Sequence, residues 1–371
     1  MSAIKLENHT GLPHLLYEKT TPAGMPMDIL VIRGTFDFSP DQPMTLSEVQ
    51  SEIVWGDRFA GPAINYPLQA VIVEEGDLVL GKPGTDVLLQ GSVRSAEGQW
   101  RTSWPVDVRV GPIRKTLRVY GPRTLSKGLM GWSLGEPEKV ENVPLHYRLA
   151  FGGCVYDPEP ERGQAQIPNI SYPKNPAGCG WLPNRCELDM LAPPVRERVE
   201  AQIAQLVTLP APQIEDPLDP YSDPSQRLQP VGLTPIARWW QPRSAFQGTL
   251  DARWMAERYP LLPEDFDPRF YQSAPADQVA TPFLRGDEAV HLKGCLREGE
   301  YRMQLPGIAP LLVCETEDGQ FHAYVPVLDT VRLDLDQRQA FLLWRLPVSP
   351  DIGKISMALV DTAALPRQAS T

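Results

Sequence analysis

Apolar and polar residues alternate along much of the chain with the two-residue period of half-buried strands, in short runs closed by turn residues. Residues 28–38 (DILVIRGTFDF) predict a strand that continues past Gly34, and residues 68–73 predict a second. Residues 106–110 and 115–120 follow, the latter with Leu117 and Val119 alternating against charges. Towards the C-terminus, residues 289–296, 301–305, 310–315 and 321–326 read as strands. The last two are joined at Asp318-Gly319, a strong hairpin turn signal. Residues 331–335 and 340–346 predict another hairpin.

The helical period occurs clearly once. After Pro193-Pro194, which suit a first turn, Val195, Val199, Ile203 and Leu206 form one apolar stripe, with Arg196, Glu197, Arg198 and Glu200 on the other face. This predicts a helix over about 193–207. Thr249 reads as an N-cap for a shorter helix over 250–259. Between these, glycine and proline dominate, and residues 208–243 carry eight prolines. The same stretch holds Trp239-Trp240, and disordered linkers are poor in large aromatics. The expected fold is therefore mainly β, a β-rich α+β protein. An N-terminal β-rich lobe (1–150) and a C-terminal one opening with a short helix (246–371), each sandwich- or barrel-like, flank a Gly/Pro-rich, partly helical middle segment (151–245). Separate lobes and one continuous sheet system both fit the pattern.

Composition sharpens this. Forty prolines in 371 residues is roughly twice ordinary usage, which favours short strands, turns and ordered irregular connections. The net charge of −11 argues against a nucleic-acid binder and against anionic membranes. Five cysteines (154, 179, 186, 295, 314), an odd number spread thinly, fit a reducing compartment rather than a disulfide scaffold. No basic-then-apolar leader is evident at the start, and no apolar run approaches the ~20 residues of a membrane span. The expectation is a soluble, cytoplasmic protein without membrane insertion.

Candidate chemistry is sparse. Gly76 to Lys82 has the G-x-x-x-x-G-K spacing of a phosphate loop, but Pro83 stands where a Ser or Thr should hold magnesium, and no helix start follows. Two strands, 78–80 and 87–89, joined by a turn with Lys82 and Asp86 exposed, are the better reading. GWSLG (131–135) matches a nucleophile elbow, with Ser133 as nucleophile and Asp267 with His291 or His322 as partners. Its flanks lack the strand and helix that motif needs. A Gly-rich loop with a buried Trp132 is favoured over it. Cys179 and Cys186 lie too far apart for a zinc pair, and the histidines are scattered, so no metal or cofactor is expected. Acidic pairs at 264–267 and 287–288 suit turns and caps. Trp239, Trp240, Arg243 and Trp254 are residue types enriched both at interface hot spots and in cores, and they are the candidate partner-binding residues.

Several separated motifs together resemble a known family. They are GTFDF (34–38), KPGTDVLLQGS (82–92), VGPIRKTLRVYGPR (110–123), LAFGG (149–153), NPAGCGW (175–181), WWQPR (239–243), GTLDARW (248–254), LPEDFDPRFYQSAP (262–275) and LRGDE (284–288). In this order they resemble the bacterial domain-of-unknown-function 2169 family, whose members accompany type VI secretion systems. The match runs from about residue 30 to 310, with Leu149 and Leu250 departing from the usual pattern. The resemblance implies a non-enzymatic adaptor or chaperone that holds an effector and helps load it on the VgrG or PAAR-like spike, with no catalytic residues. A serine hydrolase using Ser133 and a structural component of the secretion apparatus are the alternatives.

Overall fold

The computed structural model describes residues 4–60, 67–159 and 169–365. It is β-rich, with several sheets and, among the described residues, none closed into a barrel. The predicted 28–38 strand is Pro26–Asp37. Its alternation decides its two faces. Leu30, Ile32 and Phe36 enter the main core, while Val31, Arg33 and Thr35 face the other way. Gly34 belongs here because a Cβ would come within 2.7 Å of the Phe36 ring.

This strand is central to a seven-stranded sheet. Along it run His14–Thr20, Pro26–Asp37, Gln339–Val348, Val327–Asp334, Thr85–Gln90 and Val279–Ala280, with Thr45–Leu46 added beside Pro26–Asp37. Gln339–Val348 pairs antiparallel with Pro26–Asp37, and Val327–Asp334 runs parallel to Thr85–Gln90. The two β-rich lobes of the sequence reading thus contribute strands to one sheet.

A five-stranded antiparallel sheet, in the order Ile214–Glu215, Ile113–Tyr120, Ser103–Val110, Ala289–Lys293, Glu300–Gln304, mixes the same regions again. A four-stranded sheet is built from Lys5–Asn8, Ile352–Asp361, Ile308–Thr316 and Phe321–Tyr324. Its last hairpin turns at Asp318-Gly319 as expected, with Gly319 at φ 83. Side chains from all three sheets meet in one core, for example Leu342 and Trp344, Val108 and Leu292, and Leu312 and Met357.

A satellite core forms under the helix Pro193–Gln205, which buries Val199 and leans Val195 and Ile203 on Phe151, Trp181 and Tyr221. The shorter helix is Ala252–Glu257. Asp251, not Thr249, caps it by accepting from the Trp254 N–H at 2.8 Å. Thr249 instead donates its N–H and hydroxyl to Asp265.

Two local expectations are corrected. Residues 78–80 form no strand; Thr85–Gln90 pairs with Val327–Asp334, not with them. Lys82 and Asp86 are not exposed: the Lys82 ammonium donates to Asp86 (2.7 Å) and to the Thr330 hydroxyl (2.8 Å), and both side chains are buried. An exposed turn would have left that pair to water, but here the next strand covers it. GWSLG is also not a loop. Gly131–Leu134 is a strand paired with Thr124–Gly128, and Trp132 is half-buried under Lys127.

Candidate partner-binding surface

The sheet face that turns away from the main core carries Arg33, Arg332 and Arg345 among apolar neighbours. An arginine inside an apolar strand needs an anion, since an unpaired buried charge is costly. The run Glu74-Glu75-Gly76-Asp77 supplies three. Arg33 reaches Glu74 and Asp77, each at 3.0 Å, and Arg332 also pairs with Glu74. Arg345 meets Asp329 at 2.5 Å. The segment that mimics a phosphate loop is therefore a lid of acids over a row of arginines.

Glu75 connects this layer to the tryptophan region. Arg243 donates to Glu75 (2.5 Å) and to the carbonyls of Phe270 and Ile236 (2.8 Å each). Arg238 also reaches Glu75, at 3.1 Å, and Asp57. Burial pushes the Glu75 carboxyl up, but the charges of Arg243, Lys82 and Arg238 outweigh it and hold its pKa below the ordinary value. Glu74 behaves alike: burial raises it, and Arg332 and Arg33 bring it down further.

The four candidate residues thus separate. Trp240 is fully buried, with its Nε1 donating to the Leu68 carbonyl at 2.7 Å and its ring edge-on to Tyr147. Arg243 is buried in the ion network. Trp239 is half-buried beside Phe59. Trp254 has neighbours of its own: its Nε1 donates to Leu261 at 2.9 Å, and its ring lies edge-on to Tyr259. Trp240 and Arg243 are interior anchors, and of the four only Trp239 and Trp254 touch solvent.

Around Trp254 the surface is unusual. The helix Ala252–Glu257 has no buried residue. Ala252, Met255 and Ala256 share one side of it, and Tyr259 lies two residues past its end, with its ring against Trp254. Met255 is 59% and Tyr259 64% exposed. Arg258 ties the segment to the Pro22 carbonyl (2.6 Å), beside the exposed Met25, and Leu250 is exposed as well. Large apolar side chains left exposed close together in sequence, as Leu250, Met255 and Tyr259 are, suit an interaction surface. Next to them lies a groove of about 290 Å³ lined by Trp254, Asp251, Glu257, Glu264, Asp265, Arg253 and Arg258 among others. Arg253 pairs with Glu257 and Arg258 with Glu264, so Asp251 and Asp265 leave the groove acidic. The spacing of Ala252, Met255 and Ala256 was the available sequence signal for this face.

The nucleophile arrangement is not assembled. The exposed Ser133 hydroxyl donates to the Ser126 carbonyl at 3.4 Å, within a hairpin and with no helix after it. Asp267 pairs with Arg269 and caps the turn Pro268–Tyr271, and His291 pairs with Glu300 on the five-stranded sheet. Among the described residues, no group of three His, Cys, Asp or Glu is placed to hold a metal ion. The Cys179 thiol is pushed up to about 12 by burial. No helix among the described residues is long and apolar enough to cross a membrane.

A family model described as "Uncharacterized protein conserved in bacteria (DUF2169)" matches residues 23–345. No curated protein and no solved structure matches the chain.

Proposed function

Since the chain belongs to this DUF2169 family of bacterial proteins, we propose that it is a cytoplasmic, non-catalytic adaptor or chaperone of a type VI secretion system. It binds a cognate effector and promotes its loading on the VgrG or PAAR-like spike. The observation that carries the reading is the helix Ala252–Glu257, which buries nothing of its own and offers Met255 and Tyr259 to solvent. The secretion setting rests on the ordered motif set described from the sequence. A surface held on a rigid, proline-rich scaffold loses little conformational freedom on binding, which favours stable capture. The adaptor reading is preferred to the hydrolase alternative because Ser133 lies in a hairpin strand and, among the described residues, its hydroxyl donates to the Ser126 carbonyl rather than to a base.

The test is co-expression with the effector and the spike protein encoded beside this chain, followed by light scattering on the purified complex. A defined stoichiometric complex is expected, lost or weakened at least about tenfold when Met255→Glu and Tyr259→Ser are combined. No complex with either protein refutes the adaptor reading. A complex that tolerates the double variant refutes only the helix surface. Co-purification with sheath or baseplate in the absence of effectors would instead favour a structural component.

A further inference from the structure

The strand Phe321–Tyr324 is the outer edge of the four-stranded sheet, and each of its residues is exposed. Its hairpin closes with the Thr316 N–H donating to Gln320 at 2.9 Å. From that pair the antiparallel ladder alternates, so His322 opposite Cys314 and Tyr324 opposite Leu312 bond inward. The N–H and C=O groups of Phe321 and Ala323 point outward, and no other strand meets them among the described residues. Natural edges are blunted by charges, prolines or bulges. This edge has none within Phe-His-Ala-Tyr, and it adds an exposed Phe321 (67%) and Tyr324 (40%).

Its two ends differ in charge. The turn end carries Glu317 and Asp318, with Asp351 alongside, since the Glu317 N–H donates to the Asp351 carbonyl at 2.9 Å. Among the described residues none of these three has a cationic partner. Lys354, the nearest lysine across the sheet from Glu315, is paired with Glu7 at 2.8 Å. The far end continues into Val325 and Pro326, which are uncharged.

We propose that this edge is a second docking site, separate from the helix surface, that takes an extended segment of a partner protein as an added antiparallel strand. Outward backbone groups provide the hydrogen bonds of strand addition, and Phe321 and Tyr324 provide contacts for alternate side chains. An antiparallel strand runs towards the turn, so the acidic end selects a segment whose C-terminal end carries lysine or arginine.

The test uses labelled eight-residue peptides of alternating threonine and valine, ending in two lysines or in two glutamates, and measures fluorescence anisotropy with the full chain at physiological salt. The lysine-ended peptide should bind at least about tenfold more tightly than the glutamate-ended one. Ala323→Pro removes an N–H that no internal bond uses, and it should abolish that binding while the denaturation midpoint holds. Should that variant fail to fold, Glu317→Lys combined with Asp351→Lys leaves the ladder untouched and should reverse the peptide preference. Equal binding of the two peptides, or binding unaffected by Ala323→Pro and by the charge reversal, overturns the proposal. So does a dimer in sedimentation that Ala323→Pro abolishes, which would make a second copy the occupant.

Discussion

Arg243 and Glu75 lie 168 residues apart in sequence and meet at 2.5 Å in the interior. The contact ties the tryptophan-rich connection to the acidic lid over the seven-stranded sheet. Removing Arg243 leaves the buried Glu75 carboxylate with Arg238 at 3.1 Å as its remaining direct ion-pair partner, and losing one member of a buried pair costs up to about 3–5 kcal/mol. Arg243→Ala should therefore lower the guanidinium denaturation midpoint strongly. A variant with unchanged stability would show that the pair is not closed in solution.

The two adjacent tryptophans should behave differently. Trp240→Ala empties a fully buried site and loses the bond to Leu68, and it should cost about 3–5 kcal/mol. Trp239→Ala removes a half-buried ring and should cost clearly less. Comparable losses in paired denaturation curves would contradict the placement of Trp239 at the surface.

Acid should loosen the lid. Glu74 and Glu75 both titrate below the ordinary 4.5 in the folded protein. A depressed folded pKa contributes stability that is fully present above the unfolded value and is lost as pH falls through the folded one. The denaturation midpoint should thus be flat with respect to these two groups above about pH 5 and fall below pH 4.5. Glu75→Gln should be less stable at neutral pH and show a shallower acid decline. An equal decline would assign the acid sensitivity to other carboxylates.

Ser133→Ala should leave both the denaturation midpoint and complex formation unchanged, because the hydroxyl is exposed and its contact is long. A fluorophosphonate probe should not label the wild-type chain. Labelling that disappears in Ser133→Ala would reopen the hydrolase alternative.

Local signals in the sequence were legible where the physics is local. The Asp318-Gly319 turn, the stripe of the Pro193–Gln205 helix and the hairpin of Val327–Asp334 with Gln339–Val348 all rest on neighbours a few residues apart. Partners at long range were not. Nothing in DILVIRGTFDF indicates that its neighbour is Gln339–Val348, and nothing around Lys82 indicates that Thr330 covers it. The arginines inside apolar strands did carry a signal, since Arg33, Arg332 and Arg345 require acids, but not which acids. Tryptophan and arginine are common to cores and interfaces alike, so composition could not separate Trp240 and Arg243 from Trp254.

The interleaving of early and late strands has a consequence for how the protein is made. Pro26–Asp37 emerges from the ribosome early, yet its antiparallel neighbour Gln339–Val348 is translated about 300 residues later. At roughly 5–20 residues per second, that strand waits on the order of 15–60 s with one edge paired to His14–Thr20 and the edge meant for Gln339–Val348 open. The open edge exposes apolar surface until synthesis is nearly finished, and truncation before residue 339 should yield an aggregating fragment rather than a smaller working protein.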